Sequence, residues 1–315
     1  MSTADVQSAP GALDGIPVKV AGLSKRYGAR PALVELSLTV ERGEIVGLLA
    51  ANGGGKTTTL RILAGLLAPD GGSGTVLGHD LQRERAAIRR RVGYLAQRFS
   101  LYASLSVRAN LRFRADVFGV PQPRAAIAAV VDAFGLKSVE KLPLEQLSGG
   151  QARLVQLASA VVHAPPLLLL DEPTAGLDAV ARQSVWRQIA RLASHGTAVV
   201  LSTHDLADAS RCGRIVLLKE GTPRNCGAPS DFARQVPASV FLVRGATNLV
   251  RLIEPLQALA GVIGCYPSGD SLRIIVAPGS VIRQVPLLRD CSVESAPPTL
   301  EDAVLEWSAQ GAREC

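Results

Sequence analysis

A chain of 315 residues exceeds the usual size of one domain, so a large core with a smaller appended unit is expected. The formal net charge of +7 is compatible with an anionic partner but does not bear on the fold. No stretch reaches the roughly 18 apolar residues of a spanning helix, which excludes a membrane span. The 5 cysteines are widely spaced and form no Cys-x-x-Cys pair, which predicts reduced thiols.

Strands and helices are predicted to alternate over the first two thirds of the chain. Short apolar runs at residues 44–49, 167–170 and 198–202 are bounded by loop residues and are predicted as buried strands. Apolar residues at helical spacing predict helices at residues 58–67 and 179–193. This alternation indicates an α/β fold, in which a parallel sheet is covered by helices.

Composition changes suggest the domain boundaries. Residues 1–16 are small and polar and are predicted as a flexible tail. Residues 17–224 form the predicted main domain, with a mostly helical lobe at about residues 98–163. A linker is predicted at residues 225–237, and residues 238–315 are predicted as a small α+β domain with the order β-α-β-β-α-β and a closing helix.

A glycine-rich segment, NGGGKTT, lies between a predicted strand and a predicted helix. Its backbone N–H groups and the helix dipole suit a triphosphate, with Lys56 at the terminal phosphates and the Thr57 hydroxyl on Mg²⁺. Ala50 occupies the usual first glycine position, which is tolerable if its φ is negative. The alternative is a tight connection that happens to be rich in glycine. The predicted phosphate-binding residues are Asn52, Gly53, Gly54, Gly55, Lys56, Thr57 and Thr58.

Two carboxylates follow the buried strand predicted at residues 167–170. Charge there is costly unless a cation or a reacting water lies nearby. Asp171 is therefore the candidate to hold Mg²⁺ through water, and Glu172 is the candidate to polarise an attacking water. The plainer alternative is a strand that runs out into a solvated acidic turn.

A third motif, LSGGQ at residues 147–151, can cap a helix and present donors to an anion. Together with the glycine-rich loop, the acidic strand end, GLD at residues 176–178 and STH at residues 202–204, it resembles the ATP-binding cassette (ABC) ATPases. The resemblance covers roughly residues 18–224. It implies a P-loop NTPase core with a parallel sheet flanked by helices, an antiparallel β subdomain and a helical subdomain, with ATP and Mg²⁺ as cofactors.

The resemblance also implies roles for single residues. Tyr27 would stack on adenine, Gln97 would touch Mg²⁺ and the attacking water, and His204 would contact the γ-phosphate as a catalytic residue beside Glu172. The alternatives are that Tyr27 is a core residue, that Gln97 is an ordinary polar residue at a strand end, and that His204 is a histidine of a loop. Family members bind two ATPs between two cassettes packed head to tail, with Asp178 at the seam. The residues that would meet the partner's nucleotide are Ser148, Gly149, Gly150 and Gln151.

Four positions, Ala50, Ala51, Ala96 and Leu154, depart from the common family pattern, but none removes a group that handles phosphate, metal or water. The chain is therefore predicted to hydrolyse ATP. By resemblance, it would form a homodimer and drive export through a separate membrane-spanning permease subunit, as a peripheral protein at the cytoplasmic face of the inner membrane.

The export prediction depends on residues 97–107 and on PPTLEDAVLEW near the end, which resemble drug-efflux cassettes. In such cassettes a groove receives a helix of the membrane subunit, although Phe99, Leu101 and Tyr102 could equally be core residues of the lobe. The alternative function is a soluble ABC-type ATPase acting on nucleic acid or ribosomes, served by the basic run at residues 83–91. The sequence has one cassette and lacks long coiled-coil insertions, which argues against a function on ribosomes or DNA.

Overall fold

The computed structural model of the chain describes residues 15–98, 100–245, 248–280 and 285–313. Residues 1–14 of the predicted tail, and Phe99, lie outside this part. The chain divides into two compact units, of which the first ends at Cys226 and the second begins at Gly227. Every helix within the described ranges is too short or too polar to cross a bilayer.

The first unit contains two sheets and a group of helices, in the predicted alternation. Its strands are β1 (Val18–Tyr27), β2 (Arg30–Val40), β3 (Ile45–Leu49), β4 (Gly71–Val76), β5 (His79–Asp80), β6 (Val92–Leu95), β7 (Leu167–Asp171), β8 (Ala198–Thr203), β9 (Arg214–Lys219) and β10 (Thr222–Gly227). Its α-helices are α1 (Lys56–Leu63), α2 (Arg85–Arg91), α3 (Val107–Val117), α4 (Pro123–Ala133), α5 (Gly149–Val161), α6 (Ala179–Ser194) and α7 (Leu206–Ala209), with a 3-10 helix at Leu144–Gln146.

The larger sheet has the strand order β10-β9-β3-β8-β7-β6. From β9 to β6 the neighbouring strands pair in parallel, so their carboxyl ends lie at one edge of the sheet. Helices α1, α5 and α6 pack against it, and every residue of β7 is buried. Ligands of parallel α/β sheets bind at the carboxyl edge, which makes the residues that follow these strands the candidate site.

The smaller sheet, of order β2-β1-β4-β5, is antiparallel and forms the predicted β subdomain. One hydrophobic core is shared by the two sheets and α1. It includes Leu38 of β2, Leu48 of β3, Leu60 of α1 and Leu169 of β7, all nearly or completely buried. Burial of these side chains holds both sheets against the helix that starts at the glycine-rich loop.

A helical lobe is formed by α3, α4 and α5, which pack on one another through buried side chains such as Leu111, Val131 and Val155. These helices lie between Val107 and Val161. Helix α5 also packs against β6. The helix that begins at the LSGGQ motif therefore contacts the parallel sheet directly.

One helix of the first unit is shorter than its sequence predicts. The sequence from Leu81 to Arg91 predicts a basic helix, but α2 begins only at Arg85. The Asp80 carboxylate accepts hydrogen bonds from the backbone N–H groups of Gln82 and Arg83, at 2.9 and 2.8 Å. An aspartate that bonds the next backbone amides favours a turn over a helix, which explains the later start.

The second unit is a small α+β structure with a four-stranded antiparallel sheet of order β12-β13-β11-β14. The segment 225–237, predicted as a linker, contains the end of β10 and a helix. The second helix of the predicted β-α-β-β-α-β order corresponds to residues 280–287 and is described only in part, because residues 281–284 lie outside the described chain. The elements are α8 (Pro229–Arg234), β11 (Ser239–Arg244), α9 (Ile253–Gln257), β12 (Val262–Ser268), β13 (Ser271–Val276), β14 (Ser292–Ala296) and α10 (Leu300–Arg313), with 3-10 helices at Leu249–Leu252 and Pro286–Leu288.

A buried ion pair joins α10 to the sheet of the second unit. Asp302, which is completely buried, lies 2.7 Å from Arg273 of β13 and accepts a 2.8 Å hydrogen bond from the Tyr266 hydroxyl. The same carboxylate accepts hydrogen bonds from Thr299, directly before the helix. The TLED part of the C-terminal motif thus caps α10 and attaches it to β12 and β13.

Candidate functional site

The loop between β3 and α1 needs its glycines for two separate reasons. Gly53 and Gly55 have φ of 80° and 91°, a region that side chains disfavour, and a Cβ at Gly55 would lie 2.5 Å from the carbonyl oxygen of Ala32. A Cβ at Gly54 would lie 2.6 Å from the Cβ of Ala50. Ala50 is outside the positive-φ region, so alanine fits there because residue 54 has no side chain.

The end of this loop suits phosphate. Helix α1 begins after Gly55, and no side chain caps its first turn, which leaves backbone N–H groups pointing out of the helix. The Lys56 ammonium donates to the carbonyls of Ala50 and Ala51 at 2.7 and 3.1 Å and lies 3.7 Å from Glu172 Oε1. Burial lowers the pKa of Lys56, and the nearby Glu172 and Asp171 oppose that shift. The Lys56 ammonium group is therefore held between the glycine-rich loop and the acidic residues at the end of β7.

Side-chain oxygen atoms of a kind that binds Mg²⁺ lie beside the glycine-rich loop. The Thr57 hydroxyl donates to Asp171 Oδ1 at 3.1 Å, and the Ser202 hydroxyl donates to the same oxygen at 2.6 Å. Hydroxyl and carboxylate oxygens are the hard ligands that Mg²⁺ accepts. Within the described residues no cluster of three His, Cys, Asp or Glu side chains could hold a metal alone. A magnesium ion here would complete its shell with phosphate and water.

The Glu172 carboxylate is surrounded by three donors. Gln97 Nε2 lies 3.3 Å from Oε2, His204 Nδ1 lies 3.2 Å from Oε1, and Lys56 lies next to Oε1. Glu172 is only 8% exposed, whereas half of the His204 side chain is open to solvent. A buried carboxylate fixed in this way can orient a water molecule and take its proton. The three predicted catalytic residues thus lie together.

Space for such a water exists next to this carboxylate. A cavity of about 100 Å³ is lined by Glu172 and His204 and by Arg182 and Asp205, which form an ion pair at 2.7 Å. Its size and its polar lining suit ordered water. The cavity opens between the ends of β7 and β8.

The other predicted nucleotide contacts lie apart from this cluster. Residues 148–151, the SGGQ cap, start α5 with a capping box, in which Ser148 Oγ accepts from the Gln151 N–H and the Gln151 side chain accepts from the Ser148 N–H. Asp178 caps α6, and Tyr27 is exposed at the end of β1. No hydrogen bond between described residues joins the SGGQ cap to the glycine-rich loop. The cap is mostly exposed and available to another molecule.

Sequence analysis did not identify two residues that contact this cluster. Ser202 joins the two acidic residues, since its hydroxyl also accepts a 2.9 Å hydrogen bond from the Glu172 N–H. Arg153, buried on α5, donates to the backbone carbonyls of Asp171, Glu172 and Pro173. The available signal was a charged residue within the apolar helix that follows the SGGQ cap.

Comparison with known proteins gives consistent matches. A sequence model of the family described as "ABC transporter" matches residues 33–175. The Escherichia coli (strain K12) "Probable multidrug ABC transporter ATP-binding protein YbhF" is 39% identical over 216 residues, which are 68% of this chain and 37% of that protein. The chain thus spans little more than a third of that relative.

Two further proteins are similar over more of their own length. The "Nod factor export ATP-binding protein I" of Paraburkholderia xenovorans (strain LB400) is 35% identical over 254 residues, which are 78% of this chain and 84% of that protein. A solved structure, described as a dimeric post-hydrolysis state of the ATP-binding cassette MJ0796 bound to ADP and Pi, matches with a TM-score of 0.61 and 27% identity, over 67% of this chain and 98% of that chain.

Proposed function

The chain belongs to the ATP-binding proteins of ABC transporters, and we propose that it binds ATP with Mg²⁺, dimerises head to tail on the nucleotide and hydrolyses it to drive export. The observation that carries this proposal is the cluster at the carboxyl edge of the parallel sheet. There Lys56, Asp171, Glu172 and His204 meet from three neighbouring strands.

Each member of the cluster has a role in phosphoryl transfer to water. Lys56 and the first turn of α1 bind the terminal phosphates. Thr57 and Asp171 would hold a magnesium ion, which would neutralise charge on the phosphates when bound. Glu172 takes a proton from the water that attacks the γ-phosphorus, and ADP leaves. Gln97 and His204 hold the Glu172 carboxylate in place, since both contact its oxygens.

Dimerisation is supported by the exposure of the SGGQ cap. The capping box fixes Ser148 and Gln151 at the start of α5, and Gly149 leaves room for a phosphate to approach. In a head-to-tail dimer, this cap would meet the nucleotide on the partner's glycine-rich loop, with Asp178 at the seam. Tyr27, exposed on 51% of its surface, is free to stack on adenine.

The proposal is tested with Glu172→Gln, which keeps the shape of the side chain and removes its basicity. We expect this variant to release no phosphate and to form a stable dimer with saturating ATP and Mg²⁺, measured by light scattering. Ser148→Arg should prevent that dimer when added to Glu172→Gln. The control Glu254→Gln removes an exposed carboxylate of the second unit and should behave as wild type. Wild-type hydrolysis by Glu172→Gln, or a monomer under these conditions, would refute the proposal.

The names of relatives and one exposed surface support the direction of transport and the membrane partner. Two relatives are named for multidrug transport and Nod factor export, which favours export. On the helical lobe, Tyr102 and Phe113 form an exposed edge-to-face pair with centroids 5.2 Å apart, beside a cavity of about 70 Å³. We propose that this surface receives a helix of a membrane-spanning permease, at the cytoplasmic face of the inner membrane.

Co-purification tests this partner. We expect a polytopic membrane protein to accompany the wild-type chain, and Phe113→Glu to lose it while ATP-dependent dimerisation persists. The names of the relatives described above do not mention nucleic acid. Ribosomes or DNA in place of the membrane protein would support the alternative of a soluble ATPase acting on nucleic acid.

A further inference from the structure

Arg153 connects the helix of the SGGQ cap to the ends of two sheet strands. Arg153 is 8% exposed, and its guanidinium makes five hydrogen bonds. Nε donates to the Pro173 carbonyl at 2.8 Å, and Nη2 donates to the carbonyls of Asp171 and Glu172. Nη1 donates to the Ala96 carbonyl at 3.4 Å. An arginine has five N–H donors, so these bonds use its full capacity.

The backbone that Arg153 binds is unusual at Glu172. This residue has a φ of 47°, in the left-handed region that a residue with a side chain rarely adopts. Such a conformation is strained and persists only where its surroundings determine it. The Ser202 hydroxyl holds the Glu172 N–H, and Arg153 holds the carbonyl. The peptides on both sides of Glu172 are therefore fixed by side chains.

The same helix fixes the backbone around Gln97. Gln156, which accepts a 2.7 Å hydrogen bond from Arg153, donates to the carbonyls of Ala96 and Arg98 at 3.1 and 3.2 Å. Gln97 is thus flanked by two carbonyls that α5 binds. Helix α5 therefore fixes the backbone at both Glu172 and Gln97, and the Gln97 side chain contacts the Glu172 carboxylate.

We propose that Arg153 is a positioning residue, which holds Glu172 in its left-handed conformation and ties that conformation to the SGGQ cap. The inference rests on the proposed role of Glu172 in hydrolysis. Because α5 starts at the cap that meets the partner's nucleotide, a small shift of α5 on dimer closure moves the carbonyls of Glu172 and Ala96.

The test compares Arg153→Met with Arg153→Lys in the full-length protein. Methionine fills the space without a donor, so we expect kcat to fall about 10-fold to 100-fold, as small misplacements at reacting groups do. The KM and the ATP dissociation constant should stay within about threefold of wild type, since no phosphate contact is removed. Lysine keeps one donor group and should restore part of kcat. Methylguanidinium should raise the kcat of Arg153→Ala.

A matched control is Arg89→Met, because Arg89 also donates to a backbone carbonyl, that of Gly65 at 2.8 Å, but away from the site. It should keep wild-type kcat. Wild-type kcat in Arg153→Met, or a joint loss of ATP affinity and kcat in both the Met and Lys variants, would overturn the proposal. If Glu172→Gln itself hydrolyses normally, the proposed function fails. If that variant is inactive and Arg153→Met is fully active, only the role of Arg153 fails.

Discussion

The hydroxyl of Thr57 lies 3.1 Å from Oδ1 of Asp171, although the two residues are 114 positions apart in the chain. The parallel sheet brings them together, because β8 lies between β3 and β7 and all three strands end at one edge. Ser202 of β8 donates to the same carboxylate oxygen. A row of side-chain oxygen atoms from α1, β7 and β8 therefore lies beside the glycine-rich loop.

The first prediction tests this row as a magnesium site. Asp171→Asn keeps the shape of the side chain and removes its charge, so we expect the Mg²⁺ concentration that half-saturates ATP hydrolysis to rise about 10-fold to 100-fold. Thr57→Val should raise it as well, whereas Thr57→Ser keeps the hydroxyl and should resemble wild type. Identical Mg²⁺ titrations for Asp171→Asn and wild type would show that these oxygens do not serve the metal.

A second prediction concerns the pH dependence of stability through His163. Its ring stacks on Phe118 with centroids 3.8 Å apart, and its Nδ1 has no hydrogen-bond partner in the described part of the chain. Burial lowers the pKa of His163 from 6.5 to about 4, and Arg114 acts in the same direction, against the hydrogen bond to the Val92 carbonyl. The unfolded state therefore takes up this proton first as the pH falls.

The free energy of unfolding should therefore decrease as the pH falls from 6.5 to about 4. The slope from one such group is at most about 1.4 kcal/mol per pH unit, and less here because the ring is partly exposed. We expect urea unfolding of His163→Phe to depend less on pH over this range. His195→Gln, at an exposed histidine, should keep the wild-type dependence. A parallel pH profile for His163→Phe would contradict the assignment.

The sequence was sufficient to locate the cluster because its members follow apolar strands. Strands that alternate with helices form a parallel sheet, and the carboxyl ends of its strands lie at one edge. The glycine-rich loop and His204 come after such strands, and Asp171 is the last residue of one. Their proximity therefore follows from the order of strands and helices in the sequence.

Other contacts could not be predicted, because backbone atoms and distant side chains make them. Four of the five acceptors of Arg153 are backbone carbonyls, up to 57 positions away, and carbonyls carry no sequence signature. Helix α8 lies within residues 225–237, the segment predicted as a linker. Its Phe232 is completely buried and packs edge-on against Trp307, with centroids 5.1 Å apart, a contact between distant parts of the second unit.

The third prediction concerns a buried carboxylate in the first unit. Asp208 is 2% exposed and accepts a 2.7 Å hydrogen bond from Trp186 Nε1 and another from the Thr174 hydroxyl. Trp186→Phe removes one donor and leaves a buried charge partly unsatisfied. We expect the free energy of unfolding to fall by about 1–3 kcal/mol in urea titrations. If Trp307→Phe, at the other tryptophan, destabilises the first unit equally, the hydrogen bond is not responsible.

The last prediction concerns the ion pair between Arg273 and Asp302 in the second unit. Removing one partner leaves an uncompensated buried charge, because Asp302 is completely buried. Arg273→Met should therefore lower the free energy of unfolding of this unit by about 3–5 kcal/mol. The double variant Arg273→Met with Asp302→Leu removes both charges and should recover most of that loss. Unfolding is followed in urea by the fluorescence of Trp307, which lies on α10.

A surface ion pair of the same unit provides the control for this experiment. Arg244 and Glu294 lie 3.1 Å apart, with 41% and 60% of their side chains exposed. Solvent screens such a pair, so Arg244→Met should change the free energy of unfolding by less than about 1 kcal/mol. If Arg273→Met is as mild as Arg244→Met, or if the double variant is no more stable than Arg273→Met alone, the buried pair does not hold α10 to the sheet.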